Sequence, residues 1–357
     1  MAKKNWKIIN VDDFVIFKAS DDIIEPVNAQ YARANESNRR YVESHPTPTP
    51  AMPISGTFVC AQPPNYRGYP MVHATVADWV KKFELLKTFG VDTVIYQAAV
   101  WNELETVYYP SKRFASYRLF DQIGNVLEAA KRTNIDVYLG AYGSVSGWCM
   151  GKDPAFVEQE KQNHFAVQDE LFELYGSQFK GIYFAPETAY RGERDLYTEK
   201  TLNSIYRDFC DRLKGLHPDC EIIMSPATKY VEGKLDEMVD SWNSILDGVK
   251  LDVMAPQDSI GCTGTTLEYQ QTMFNVWRKI CDGKKIRFWS NVELFEELDC
   301  SKIDPSVPAD PRRVAHQMYN ASQVAEKLIS WEMIFYTDEC NGDRAAALRN
   351  FLQQCAR

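Results

Sequence analysis

From residue 54 to the C-terminus, short runs rich in β-branched and aromatic residues alternate with longer runs of helical period, and this alternation limits what the chain can fold into. The strand-like runs are ISGTFVCA from Ile54, DTVIYQAAV from Asp92, IDVYLGAY from Ile135, GIYFAPE from Gly181, CEIIMSP from Cys220, LDVMAPQD from Leu251, IRFWSNVE from Ile286 and EMIFYTDE from Glu332. Their starts recur roughly every 30 to 45 residues, at or above the ~30 that one βαβ unit needs. The intervening segments supply helices. Residues 75–89 put Val76, Trp79, Val80, Phe83, Leu86 and Phe89 on one face and close with Gly90, and Leu202, Ile205, Tyr206, Phe209, Leu213 and Leu216 form a second stripe. Trp79 and Trp277 sit on such stripes and read as core. Eight strands, each followed by a helix, predict an α/β fold, a (β/α)8 TIM barrel over residues 51–357. An open doubly wound sheet in its common nucleotide-binding form carries G-x-G-x-x-G after the first strand; here QPPNYRGYP stands there instead.

Residues 1–50 stand apart as an N-terminal extension. VNAQYARANESNRRYVESHPTPTP is polar, and its end, where Pro46, Pro48 and Pro50 alternate with Thr47 and Thr49 after His45, reads as an extended linker or strap without periodicity. It is expected to wrap the barrel or cap its bottom and to take no part in catalysis. The net charge of -9 argues against nucleic acid as a partner, because phosphate binding needs basic patches, and against an anionic membrane surface for the same reason. Asp12 and Asp13 interrupt the apolar part of the N-terminus, which therefore lacks the core of a signal peptide, and no window reaches the length of a membrane span. The expected location is the cytoplasm as the chain is written, or the periplasm or exterior if a leader has been removed.

In a barrel the chemistry gathers at the C-terminal ends of the strands. Strand 2 ends with Tyr96 and Gln97, strand 3 leads to Tyr142 and Trp148, and strand 4 carries Tyr183 and ends at Glu187. Strand 5 ends at Ser225, strand 6 at Gln257 and Asp258, and strand 7 runs through Trp289 and Asn291 to Glu293. Carboxylates and amides bond hydroxyls, and Trp and Tyr faces stack on the C–H faces of pyranose rings, so such a mouth suits a carbohydrate substrate. Hydrolysis of a glycosidic bond needs two carboxyl groups, one to protonate the leaving oxygen and one to attack the anomeric carbon or activate water. Glu187 and Glu293 are the candidate pair, with apolar neighbours in YFAP and FWSNV able to raise a carboxyl pKa. Gln97, Tyr96, Trp148, Tyr183, Ser225, Gln257, Asp258, Trp289 and Asn291 are the candidate sugar contacts. Asp258 is a third carboxylate, read as a hydroxyl ligand or as a nucleophile in place of Glu293. Glu296, Glu297, Asp338 and Glu339 read as solvated.

The placement of acids on strands 4 and 7 resembles the large clan of retaining barrel glycosidases, whose acid/base follows strand 4 and whose nucleophile ends strand 7. More closely, ISGTFV, FGVDTVIYQ, YYPS, VYLG, APE, LDVMAPQDSIG and WSNVELFE resemble the blocks of a bacterial family of unknown function usually described as barrel glycoside hydrolases. The resemblance spans residues 54–340 in order. It implies a barrel fold, a glycosidase activity, Glu187 as general acid/base and Glu293 as nucleophile, and retention of configuration. The sequence departs from the large clan at Pro186, where that clan carries Asn.

Two other classes remain open: a non-catalytic carbohydrate-binding barrel, and a metal-dependent lyase or isomerase using Asp258 and Glu187 as oxygen ligands. The five histidines form no H-x-x-x-H set, and no P-loop or G-x-S-x-G elbow occurs, so no cofactor and no metal are expected. The nine cysteines are odd in number and scattered, without a C-x-x-C pair, which argues against a disulfide framework. Thiol titration of the denatured, unreduced protein is therefore expected to find close to nine free groups; seven or fewer would place the protein in an oxidising compartment.

Overall fold

In the computed structural model the described residues are 6–11, 14–61, 71–143, 153–185, 198–302 and 306–357. Eight parallel strands close into a barrel in sequential order: β1 (Ile54–Val59), β2 (Thr93–Tyr96), β3 (Asp136–Gly140), β4 (Gly181–Phe184), β5 (Glu221–Met224), β6 (Val253–Met254), β7 (Arg287–Glu293) and β8 (Lys327–Trp331). The (β/α)8 TIM barrel read from the sequence is the fold. Short sheets decorate it, among them a mixed four-stranded sheet built from segments between residues 100 and 143. No helix among the described residues is long and apolar enough to cross a membrane.

Side chains sort onto the two faces of the barrel by strand register. Phe58 of β1 meets Tyr183 of β4 with ring centroids 5.0 Å apart, and Tyr138 of β3 meets Trp289 of β7 at 6.1 Å. These strands are not neighbours, so all four rings lie inside. Residues in register across parallel strands share a face and alternate along the chain. Phe58, Ile95 and Tyr138 are in register and inward; Val59, Tyr96 and Leu139 are in register and outward. The same rule makes Ile223, Val253, Trp289, Asn291, Ile329 and Trp331 inward. The interior is tightly filled: a Cβ at Gly181 of β4 would lie 2.8 Å from the Tyr138 ring, so only glycine admits that ring.

The helices follow their sequence signals. The Val76–Thr88 helix starts on a capping box in which Thr75 accepts from the Asp78 N–H and Asp78 accepts from the Thr75 N–H, and it buries Trp79, Phe83 and Leu86. Asp153 before Pro154 and Asp310 before Pro311 cap two further helices. The Trp277 indole packs 4.9 Å from that of Trp242 between neighbouring helices.

Two expectations are corrected. The eighth strand is KLISW, Lys327–Trp331, and the run read as that strand contains a one-turn helix, Met333–Tyr336, all four residues of which are buried. A short apolar run carries no periodicity that separates a buried strand from a buried helix. In addition, the extension is folded. Residues Trp6–Val11 and Phe14–Ala19 form an antiparallel hairpin, and Asp21–Ser44 forms a 24-residue helix, here α1. It packs against the helices Leu267–Lys284 (α2) and Pro311–Ser322 (α3). Near its C-terminal end Tyr41 stacks on His45 and meets the buried His316 of α3 edge-on at 5.3 Å. The extension thus lies along the barrel flank by strands 6 and 7.

Charges close the N-terminal end of the barrel around an indole. Trp289 lies between Arg287, 6.0 Å from its ring centre, and Lys327, 5.1 Å away. Glu221 accepts from the Tyr138 hydroxyl and pairs with Arg287 at 2.8 Å, while Lys327 pairs with Asp92. Trp289 is therefore a floor residue below the mouth, a correction to its reading as a sugar contact. Replacing it leaves a cavity that eight closed strands cannot fill by collapse. Trp289→Ala is expected to cost about 3–5 kcal/mol in denaturant unfolding; a loss under about 1 kcal/mol would contradict this packing.

Candidate active site

Strand alternation decides which sequence-predicted residues reach the barrel mouth. Gln97 follows the outward Tyr96 and faces in, whereas Tyr96 packs outside against Tyr108 at 5.9 Å, 1% exposed. Gln257 bridges to the inward Asn291, so Asp258 faces out. Adjacent residues of one strand cannot both line the mouth, which removes Tyr96 and Asp258 from the sugar contacts. Trp148 and Glu187 lie outside the described residues.

Strands 5, 6 and 7 bring three predicted residues together. The Asn291 amide donates to the Ser225 hydroxyl at 3.0 Å, and the Gln257 amide donates to the Ser225 carbonyl at 3.3 Å. Tyr183 lies beneath them, buried against Phe58. Across the mouth the buried Gln97 Oε1, and beside Ser225 the buried Asn291 Oδ1, have no hydrogen-bond partner among the described residues. A buried amide oxygen without a donor is costly, and a ligand hydroxyl would satisfy it.

Glu293 ends β7 on the same face as Trp289 and Asn291 and is 2% exposed. It is in register with Trp331, whose ring lies 5.5 Å from that of Phe58. Its Oε2 accepts the Cys262 N–H at 2.8 Å. Burial first, then the charge of Asp258, pushes the Glu293 carboxyl up to about 8, against the Cys262 N–H, which favours the anion.

Asp258 is held from outside the barrel. Its Oδ2 accepts from Gln317 of α3 at 2.7 Å and from Gln270 of α2 at 3.4 Å, and its Oδ1 accepts the N–H groups of Ile260 and Glu293. Burial still pushes it up to about 6. Arg313, 5% exposed, donates to the carbonyls of Glu293 and Phe295 and to the Gln317 side chain. The hydrogen bonds of Asp258 and Arg313 fix the backbone from which Glu293 projects.

Three residues escaped the sequence reading. Taking KLISW as the eighth strand brings Trp331 and Glu332 to its end, and Phe58 of β1 stands among the inward rings beside Trp331. Glu332 follows β8, is 1% exposed, and accepts the Cys60 N–H at 3.3 Å through Oε1. Its Oε2 has no partner among the described residues, and burial pushes it up to about 8. The signal that marks Glu293, an apolar strand stopping on an acid, also marks Glu332 once KLISW is taken as the strand. Glu297, expected in solvent, bonds the Tyr31 hydroxyl and is pushed by burial up to about 7.

The raised acids have a consequence for stability. Folded Glu293 keeps its proton up to about pH 8, whereas an unfolded chain releases it near ~4.3. Its contribution to stability is whole below the lower value and is lost as pH rises through the upper one. Glu293→Gln is expected to gain stability over the parent protein as pH rises from 5 to 8, reaching about 4 kcal/mol. Urea unfolding of both at each pH checks this; parallel pH dependences would contradict it.

The barrel resembles known structures. A protein of Bacteroides thetaiotaomicron VPI-5482, described provisionally as an α-L-fucosidase, superposes with a TM-score of 0.72 at 20% identity, covering 88% of this chain and 95% of its own. An endo-1,4-β-mannanase from Rhizomucor miehei superposes with a TM-score of 0.54 at 11% identity, covering 85% of this chain and 95% of its own. At these identities the likeness is one of fold. No curated protein matches the chain. The profile of a domain of unknown function, DUF4434, matches residues 54–341, from the first residue of β1 to beyond β8, and the chain belongs to that family.

Proposed function

We propose that the protein is a glycoside hydrolase that cleaves a glycosidic bond with Glu187 and Glu293. The observation that carries this reading is the inward layer at the mouth: a buried carboxyl in register with an indole, beside amide oxygens of Gln97 and Asn291 that have no donor among the described residues. Such a layer offers a proton or a nucleophile at one point, acceptors for hydroxyls around it, and a ring for a sugar face. The glycosidases among the structures of similar fold support the same reading.

In the leading assignment Glu187 is the general acid/base and Glu293 the nucleophile. Glu293 would attack the anomeric carbon as Glu187 protonates the leaving oxygen, and water activated by Glu187 would then release the sugar with retained configuration. The Cys262 N–H favours the ionised Glu293 this requires, and burial opposes it. In a second assignment, favoured by that burial, Glu293 is the proton donor. The two differ in sign: turnover limited by a nucleophile rises with pH through the Glu293 value near 8, and turnover limited by a proton donor falls through it.

A non-catalytic sugar-binding barrel would keep the amides and rings but turn nothing over. The metal-dependent alternative loses support because the Asp258 carboxylate is bound from the outer helices. The test is a panel of chromogenic glycosides and glycans, followed by Glu187→Ala and Glu293→Ala on the substrate found. Each substitution is expected to lower kcat by about a thousandfold, and proton NMR of the first-formed anomer is expected to show retention. An inverted product would remove Glu293 as nucleophile, and a Glu293→Ala enzyme with near-normal turnover would remove it from the reaction.

A further inference from the structure

Helix α1 presents a stripe of polar side chains to two loops at the mouth end of the barrel. Asn28, Tyr31, Asn35 and Asn38 recur at helical spacing, and Gln30 flanks them. Asn28 accepts the Cys300 N–H at 2.9 Å and donates to Asp299 at 2.8 Å. Gln30 donates to the Thr263 hydroxyl at 3.1 Å and to its carbonyl at 3.3 Å. Tyr31 bonds the Glu297 carboxyl, and Asn35 donates to the Glu297 carbonyl at 2.8 Å. Asn38, 2% exposed, accepts the Leu267 N–H at 2.9 Å.

These contacts bracket the segment that holds Glu293. Cys262, whose N–H binds the Glu293 carboxyl, lies next to Thr263, and the Glu297 N–H donates to the Gly261 carbonyl at 3.2 Å. The packing leaves no slack: a Cβ at Gly261 would lie 3.1 Å from Glu293 Oε2 and 2.4 Å from the Phe295 carbonyl. We infer that α1 is a positioning element of the active site, holding residues 261–263 against the Glu293 carboxyl through Gln30, Tyr31, Asn35 and Asn38. This rests on the reading of Glu293 as a functional acid. It places part of the site's support at residues 21–44, outside the 54–341 that the family shares.

The experiment uses the full-length protein with Asn35→Ala/Asn38→Ala, the single variant Gln30→Ala, and a control, Glu36→Ala/Arg39→Ala, which removes only exposed ion pairs within the same helix, Arg39 with Glu36 and Glu43 and Arg40 with Glu36. Melting curves confirm folding, and Gln30→Ala serves if the double variant does not fold. Hydrogen exchange over residues 259–266 is expected to quicken at least tenfold in the docking variants and to stay unchanged in the control. The Glu293 titration, followed by δ-carbon NMR and assigned with Glu293→Gln, is expected to move to higher pH as the Cys262 N–H loosens. Glu293 is faced by Asp258, Arg313, Glu297 and the Cys262 thiol, which none of the variants alters. Asn38→Asp, which keeps the acceptor for Leu267, is expected to restore the protection from exchange that Asn38→Ala loses. On an active substrate, kcat falls and KM holds. Unchanged exchange and titration in the docking variants would overturn the inference. If both move while the parent protein turns over no glycoside, the positioning stands and the hydrolase reading falls.

Discussion

Closure of eight parallel strands is the constraint on which the rest of this structure depends. It divides every strand into a face that must fill a finite interior and a face that must meet a helix, and the division repeats every second residue. Phe58, Tyr183 and Trp289 fill the interior, with Gly181 leaving room for the Tyr138 ring. Toward the mouth, apolar filling gives way to Ser225, Gln257, Asn291 and Glu293 on the same inward rows. The candidate site is thus the place where the barrel stops being packed.

That transition explains the acids around strands 6 to 8. Asp258, Glu293 and Glu332 are buried and Glu297 nearly so in its contact with Tyr31, while Arg313 spends its hydrogen bonds on the carbonyls of Glu293 and Phe295 and on Gln317. Buried carboxyls without a full counter-charge hold their protons, which costs stability as pH rises; of these four, Glu293 is the one that lies on an inward row at the mouth. Raised carboxyls of this kind are uncommon in a packed core and gather at functional sites.

The order of elements was legible because each βα unit carries its own period, and helix boundaries were legible at caps such as Thr75 and Asp310. The inward fate of Gln97, Ser225, Gln257, Asn291 and Glu293 followed from their place at strand ends. Three things were not legible, each for a physical reason. Tyr96 and Asp258 face out because a strand end offers its mouth only alternate residues. Trp289 sits at the floor because height along a strand needs register with a partner, which a single chain does not display. Helix α1 went unread because its docking stripe is made of Asn28, Tyr31, Asn35 and Asn38, amides and a phenol in place of the apolar residues by which amphipathic helices are recognised.

The two-residue alternation makes each barrel strand behave like a reading frame. An insertion or deletion of one residue within β7 would exchange the two faces beyond it, turning Val292 inward and Glu293 toward α3 while leaving composition and strand propensity almost unchanged. Loops between strands tolerate changes of length, but the segment from Trp289 to Glu293 tolerates none. Divergence in this barrel is accordingly channelled into substitutions along the strands and into insertions between them, so that the mouth can change its chemistry one side chain at a time while its frame stays in phase.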